Sequence, residues 1–181
     1  MRYYVDTEFN GNEGQLISIA LVRQDGAEFY AVVDMYQMPV PWVAEHVMPI
    51  LWSHQQRKPE NPIDRVPRPD MGLPVSRAEC KKSLRKFLEK DTGVVTFLGD
   101  WPEDGVHVLN LLLRDHGRRN PPASFRYINL ELPGFNTADV SVVPHNALED
   151  ARVLREYVET GLRDGPDGPL TSGDLALLAG T

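Results

Sequence analysis

Five side chains of types that hold cations or move protons fall in three short stretches: Asp6, Glu8, Asp104, His145 and Asp150. Asp6 and Glu8 lie two residues apart in "YYVDTEFN" (Tyr3–Asn10). Side chains alternate along a strand, so both carboxylates project from one face, about 6–7 Å apart. Like charges so placed repel unless a cation sits between them or water screens them. A second acidic group, Asp100, Glu103 and Asp104, follows an apolar run in "FLGDWPEDGVHVL". The third stretch is "HNALEDA", where His145 precedes Asp150 by five positions.

Each stretch alone has an ordinary explanation: an exposed strand edge, acids complementing a helix dipole, an incidental loop histidine. Together they supply four carboxylates from three elements, Asp6, Glu8, Asp104 and Asp150, and an imidazole that titrates near neutral pH. Carboxylate-rich sites suit hard cations such as Mg²⁺ or Mn²⁺ rather than zinc. Two such ions about 3.5–4 Å apart support in-line attack on a phosphodiester. Their charge draws a polyanion, and a histidine beside them can deprotonate the attacking water.

The elements that must position these groups are legible from pattern. "RYYVDTEF", "QLISIALV" (Gln15–Val22) and "EFYAVV" (Glu28–Val33) read as a three-strand antiparallel meander, with Asp25-Gly26 as the hairpin signal. "PWVAEHVMPILW" (Pro41–Trp52) has helical spacing at Val43, Val47, Ile50 and Leu51, with Pro41 in its first turn and Pro49 ending or kinking it. Positions 53–75 form a long loop carrying Pro59, Pro62, Pro67, Pro69 and Pro74 among charges. Ser76 and Glu79 make a capping box for a helix with the stripe Cys80, Leu84, Phe87 and Leu88. "GVVTFLGD" (Gly93–Asp100) is a buried strand, "EDGVHVLNLLLRDHG" a helix closing at Gly117, and "SFRYINLEL" (Ser124–Leu132) another strand. A last helix runs from Ala147 to about Gly161, N-capped by Asn146, with Glu149 as its capping-box partner. The order β-β-β-α-α-β-α-β-α predicts an α/β mixed sheet flanked by helices, in one domain over 1–181 with a Pro-rich basic insertion at about 53–75.

Composition narrows the class further. The 181 residues are 41% hydrophobic and 25% charged, which suits a globular domain. No apolar run approaches the roughly 18–20 residues of a membrane span. Acids at positions 6 and 8 argue against a secretory signal. Cys80 is the single cysteine, which excludes an internal disulfide and makes a reducing cytoplasm the expected location. The net charge is −7, yet residues 57–90 hold 10 of the 19 Lys and Arg against 5 of the 26 Asp and Glu. That segment is a place for a polyanion, or simply a solvated helix face and a charged loop. "DLALLAG" (Asp174–Gly180) reads as a docked terminal segment or a partner contact.

With these residues in place, the sequence resembles the DEDD superfamily of 3′-to-5′ exonucleases, in the histidine-bearing branch that includes ribonuclease T and oligoribonuclease. "VDTEF" is similar to the first motif, D-x-E after an apolar strand. "FLGDWPEDGVHVL" resembles the second, an apolar strand ending in a polar residue with an Asp four positions later. "HNALEDA" matches the third, H-x4-D opening a helix. Family members often carry Asn where Asp100 stands, which makes Asp104 the metal ligand of that motif and Asp100 an auxiliary acid. The "VDTEFN" start and the Pro-rich insertion resemble more closely the mycobacterial-type polyadenylate-specific exoribonucleases.

The resemblance implies a ribonuclease H-like fold, two Mg²⁺ or Mn²⁺ ions per site, a homodimer, and hydrolysis of nucleotides from an RNA 3′ end, overhang or A-rich tail. Asp6 would bridge the ions, Glu8, Asp104 and Asp150 would complete their shells, and His145 would be the general base. Phe9 and Asn10 would contact the terminal nucleotide, unless Phe9 is core; Trp101 would stack on a base or pack at a strand–helix corner. Arg57, Lys58, Arg65 and Arg68 would follow the RNA backbone, as would Arg77, Lys81, Lys82, Arg85 and Lys86 unless they only solvate their helix. The alternatives are a dinucleotide phosphodiesterase of the oligoribonuclease kind, a DNA exonuclease using the same site, a nucleic-acid binding module with a degenerate site, and an acidic structural domain.

Overall fold

The computed structural model describes residues 1–51, 74–91, 93–113, 124–132 and 134–164. The insertion with Arg57, Lys58, Arg65 and Arg68, the expected helix end at Gly117 and the segment 174–180 lie outside them.

The expected meander is present: β1 (Arg2–Phe9), β2 (Leu16–Arg23) and β3 (Glu28–Val32) pair antiparallel. On the other side of β1 the strands β4 (Val95–Gly99) and β5 (Phe125–Asn129) pair in parallel. The order is β3-β2-β1-β4-β5, a mixed five-stranded sheet of ribonuclease H-like type. β1 is therefore central, and its strand twofold alternation sorts its residues between two cores. Tyr3 and Val5 face a cluster built with α2 (Arg77–Leu88) and α3 (Pro102–Leu113), through Cys80, Leu84, Phe87, Val108 and Leu111. Tyr4 faces the opposite cluster, with Val43 and Val47 from the region of α1 (Pro41–His46) and Ala147, Leu148, Ala151 and Leu154 from α5 (Ala147–Asp164).

The Ser76–Glu79 capping box forms as expected, each residue's side chain reaching the other's backbone. The expected Pro41–Trp52 helix is broken: α1 stops at His46 and a 3₁₀ turn takes Met48–Ile50. Pro49 has no N–H to continue the α ladder, and the chain tightens instead. The strand expected at Ser124–Leu132 is shorter, ending at Asn129 where its partner β4 ends at Gly99. One element was not anticipated, α4 (Thr137–Val140), a single turn capped by the Asn136 side chain, which accepts from Ala138 N at 3.0 Å.

Candidate active site

The acids gather where β1 runs past its parallel neighbour. The β1–β4 pairing ends at Tyr4 opposite Leu98. Carried two positions on, that register sets Asp6 level with Asp100, in the crevice beyond the carboxyl end of β4 where α/β sheets form ligand sites. One carboxylate oxygen each from Asp6, Asp100 and Asp104 lie within 4.8 Å of one another. So do one each from Asp6, Glu8 and Asp150. Asp6 thus belongs to two carboxylate triads, and all four principal acids named by the sequence are brought together, with Asp100 as a fifth.

Each side of the site is built differently. Thr7, between the two strand acids, points to the α3 face, where its N–H and hydroxyl both donate to Asp104 Oδ1, at 3.0 and 2.7 Å. Asp104 sits in the first turn of α3 and Asp150 in the first turn of α5, at the positive ends of both helix dipoles. Asp150 Oδ2 accepts from the His145 backbone N–H at 3.0 Å. His145 holds a left-handed backbone, φ 63°, which turns the chain into the helix. Asn146 then serves as N-cap, its Oδ1 facing the Glu149 N–H at 3.4 Å, and its Nδ2 donates to the carbonyls of Ile50 and Leu51. The Glu149 carboxylate takes Arg152 Nη1 at 2.6 Å.

Electrostatically the cluster is strained. Burial, then the charges of Asp104, Glu8, Asp150 and Asp100, hold the Asp6 carboxyl well above the usual carboxylate range. Burial and then Asp150 and Asp104 push Glu8 up to about 8. Burial also lifts Asp104 to about 8, against the Thr7 hydrogen bonds, and Asp150 to about 6. Burial raises Asp100 as well, opposed by hydrogen bonds from its own amide and from Thr137 of α4.

A divalent cation fits these residues. Asp104 and Asp150 are 1% and 3% exposed, yet Asp104 Oδ2 and Asp150 Oδ1 are buried with no hydrogen-bond partner among the described residues. A buried carboxylate oxygen with no donor is costly, and a hard cation is the partner an all-oxygen set selects.

The other anticipated residues sort as follows. Glu103 stays out of both triads: it accepts from Glu13 N–H at 3.0 Å and from Trp101 Nε1 at 3.0 Å, tying the β1–β2 loop to the β4–α3 turn. Trp101 is 57% exposed at that corner. Phe9 follows a bulge after Glu8 and lies tilted over the buried His107 ring, with centroids 5.1 Å apart. Asn10 is buried, donating to Met38 O at 2.9 Å and accepting from Val40 N at 2.8 Å. Arg85 donates to Leu112 O, which ties α2 to α3.

Three neighbours of the site were not singled out from sequence. Trp42 places its ring 5.0 Å from that of His145, at 81°, and stacks on His46 at 4.8 Å. Burial and then the His46 charge hold the His145 imidazole below its ordinary pKa. Trp42 falls off the Val43–Val47 stripe, and that was the available signal for an aromatic outside the core. Thr7 needed only the alternation rule. Tyr127, whose hydroxyl donates to Trp101 O at 2.6 Å, had no signal of its own.

No protein-family model matches the chain. Two 3′-5′ exoribonucleases of Mycobacterium tuberculosis, Rv2179c from strain H37Rv and MT2234.1 from strain CDC 1551, are each 35% identical to it over 95 residues. The matched part is 50% of this chain and 48% of each relative, so the chain spans about half the length of the curated relatives it matches. That likeness agrees with the sequence resemblance drawn from the three acidic stretches.

Proposed function

We propose that this domain is a metal-dependent 3′-to-5′ exoribonuclease, hydrolysing phosphodiester bonds at RNA 3′ ends. The observation that carries the reading is Asp6 shared by two carboxylate triads, with buried and unpartnered oxygens on Asp104 and Asp150. The likeness to two 3′-5′ exoribonucleases supports the same activity.

Asp6, Glu8, Asp104 and Asp150 would hold two Mg²⁺ or Mn²⁺ ions, with Asp100 as an auxiliary acid. When bound, such ions polarise a scissile phosphate and stabilise the leaving 3′ oxygen. The chain's own residues do the rest. His145 takes the proton of the attacking water; its lowered pKa keeps the imidazole neutral, and so a competent base, at neutral pH. The His145 backbone N–H holds Asp150, so base and ligand are fixed by one turn. Phe9 and Trp101 offer exposed or half-buried rings to the terminal bases, and Asn10 shapes that end of the site by fastening Met38 and Val40. The basic residues of 57–90 guide the RNA backbone, which makes binding weaken with salt. Single-stranded 3′ ends or overhangs, a homodimeric assembly and a cytoplasmic location belong to the same proposal. Among the described residues no helix is long and apolar enough to cross a membrane.

The test is 5′-labelled RNA with Mn²⁺. A ladder of one-nucleotide steps that disappears in Asp6→Asn and His145→Ala is the expected result. A folded, metal-loaded protein that shortens no RNA would overturn the reading.

A further inference from the structure

Two acids of the β4–α3 segment, Asp100 and Asp104, lie against Asp6, and the triad needs both. Three observations explain how Asp100 is held. The turn is flanked by Gly99, just before Asp100, and Gly105, just after Asp104. A Cβ on Gly99 would lie 2.3 Å from the Tyr127 hydroxyl oxygen, and a Cβ on Gly105 would lie 2.5 Å from Tyr127 Cδ1. The Tyr127 ring thus fills the space that two side chains would need, and only glycine leaves it room. Tyr127 sits opposite Phe97 in the β4–β5 register, on the α3 face, and its ring reaches along the sheet past the end of β4. There its hydroxyl donates to Trp101 O at 2.6 Å, closing the loop that carries Asp100. On the other side of the triad, Thr7 takes one oxygen of Asp104 and leaves Oδ2 buried without a partner. With Asp104 immobilised from β1 and the turn immobilised from β5, the Asp100 carboxylate is held within 4.8 Å of its counterparts on Asp6 and Asp104.

We infer that Asp100 is a direct ligand, together with Asp6 and Asp104, of one of the two ions, and that Tyr127 is the positioning residue that fixes it there. The inference rests on the two-ion reading above and goes beyond it in making Asp100 a ligand and Tyr127 its positioner. The Asp6–Asp100–Asp104 site is built from three aspartates, with Asp104 clamped from β1 and the turn clamped from β5, and the Asp6–Glu8–Asp150 site lies next to His145. Ligand charge and site rigidity are the terms that set affinity for a hard cation, and partners that orient a ligand are worth about 10–100-fold in metal affinity.

The experiment is calorimetric titration of Mn²⁺ into metal-free full-length protein, wild type against Asp100→Asn and Tyr127→Phe, with melting temperatures of the metal-free forms. The wild type is expected to bind two ions. Asp100→Asn, nearly isosteric, is expected to weaken one of the two sites about tenfold or more and leave the other unchanged. Tyr127→Phe is expected to weaken the same site by a smaller factor. Asp100→Asn with both affinities intact overturns the ligand assignment. Tyr127→Phe that leaves both sites unchanged, or weakens both together with a lowered metal-free melting temperature, overturns the positioning role. A wild type that binds no Mn²⁺ overturns the exoribonuclease reading itself, whatever the variants do.

Discussion

Glu149 and Asp150 are adjacent in the first turn of α5, and the molecule treats them in opposite ways. Glu149 is 2% exposed and accepts from Arg152 at 2.6 Å; Arg152 also makes a two-point contact with Glu28, at 2.6 and 2.7 Å. Asp150 is 3% exposed and, among the described residues, meets no Lys or Arg. The pattern extends across the sheet. Towards the start of β1, Arg2 holds Glu159 and Arg23 holds Asp25. At the end of β1, Asp6, Glu8, Asp100, Asp104 and Asp150 face one another with no guanidinium among the described residues. Acids of the first kind tie elements together. Acids of the second kind destabilise the metal-free fold, and on the proposed reading a cation completes them.

The largest effects are expected on turnover. Asp6→Asn removes the acid common to both triads and is expected to lower the RNA cleavage rate by about 10³-fold or more, read from single-turnover gels. His145→Ala is expected to lower it by about 10²–10⁴-fold, with Mn²⁺ affinity much less affected. Arg152→Ala, on the paired side, is expected to do the reverse: a loss of about 2–3 kcal/mol in denaturant unfolding, with cleavage per folded molecule retained.

How much of this contrast could be read in advance differs by residue. Asp6 and Glu8 were legible because strand alternation fixes their common face. His145 and Asp150 were legible because Asn146 marks a helix start between them. The mixed sheet was legible from the meander and the alternating units that follow, though not the order of its strands. That both Asp100 and Asp104 face Asp6 was not legible, since the spacing suits either one alone; Thr7 and Tyr127, which hold Asp104 and the turn, come from other strands. Trp42 was missed because its partner His145 is 103 positions away in the chain. Asn10 looked like a substrate contact by its place after the acids, yet both ends of its amide fasten a loop, a contact that only the tertiary structure reveals.

Smaller effects sharpen the comparison in the metal-free protein. Asn146→Ala removes the cap that serves both kinds of acid and is expected to cost about 0.5–2 kcal/mol in unfolding experiments. Above pH 8, where both groups ionise, Asp104→Asn or Glu8→Gln removes one repelling charge and is expected to raise the metal-free melting temperature slightly, where a paired acid so changed would lower it.

The sign of the pH dependence follows from the same cluster. Glu8 and Asp104 are raised to about 8, so the folded state binds more protons than the unfolded chain up to that pH. The stability this protonation gives is present at lower pH and is lost as pH rises through the folded values. Between pH 7 and 8, where most unfolded histidines have already lost their proton, metal-free stability is therefore expected to fall with rising pH.

The most direct test of the account is the melting temperature of the protein with and without Mn²⁺, at pH 6.5 and at pH 8. Ligand at about 100 times its Kd adds about 2.7 kcal/mol to a native state that alone binds it, roughly 5–10 °C for a domain of this size. The account predicts a rise of that order, larger at pH 8 because fewer protons compete for the carboxylates, and abolished in the Glu8→Gln/Asp104→Asn double variant. A melting temperature that Mn²⁺ leaves unmoved at both pH values would contradict it.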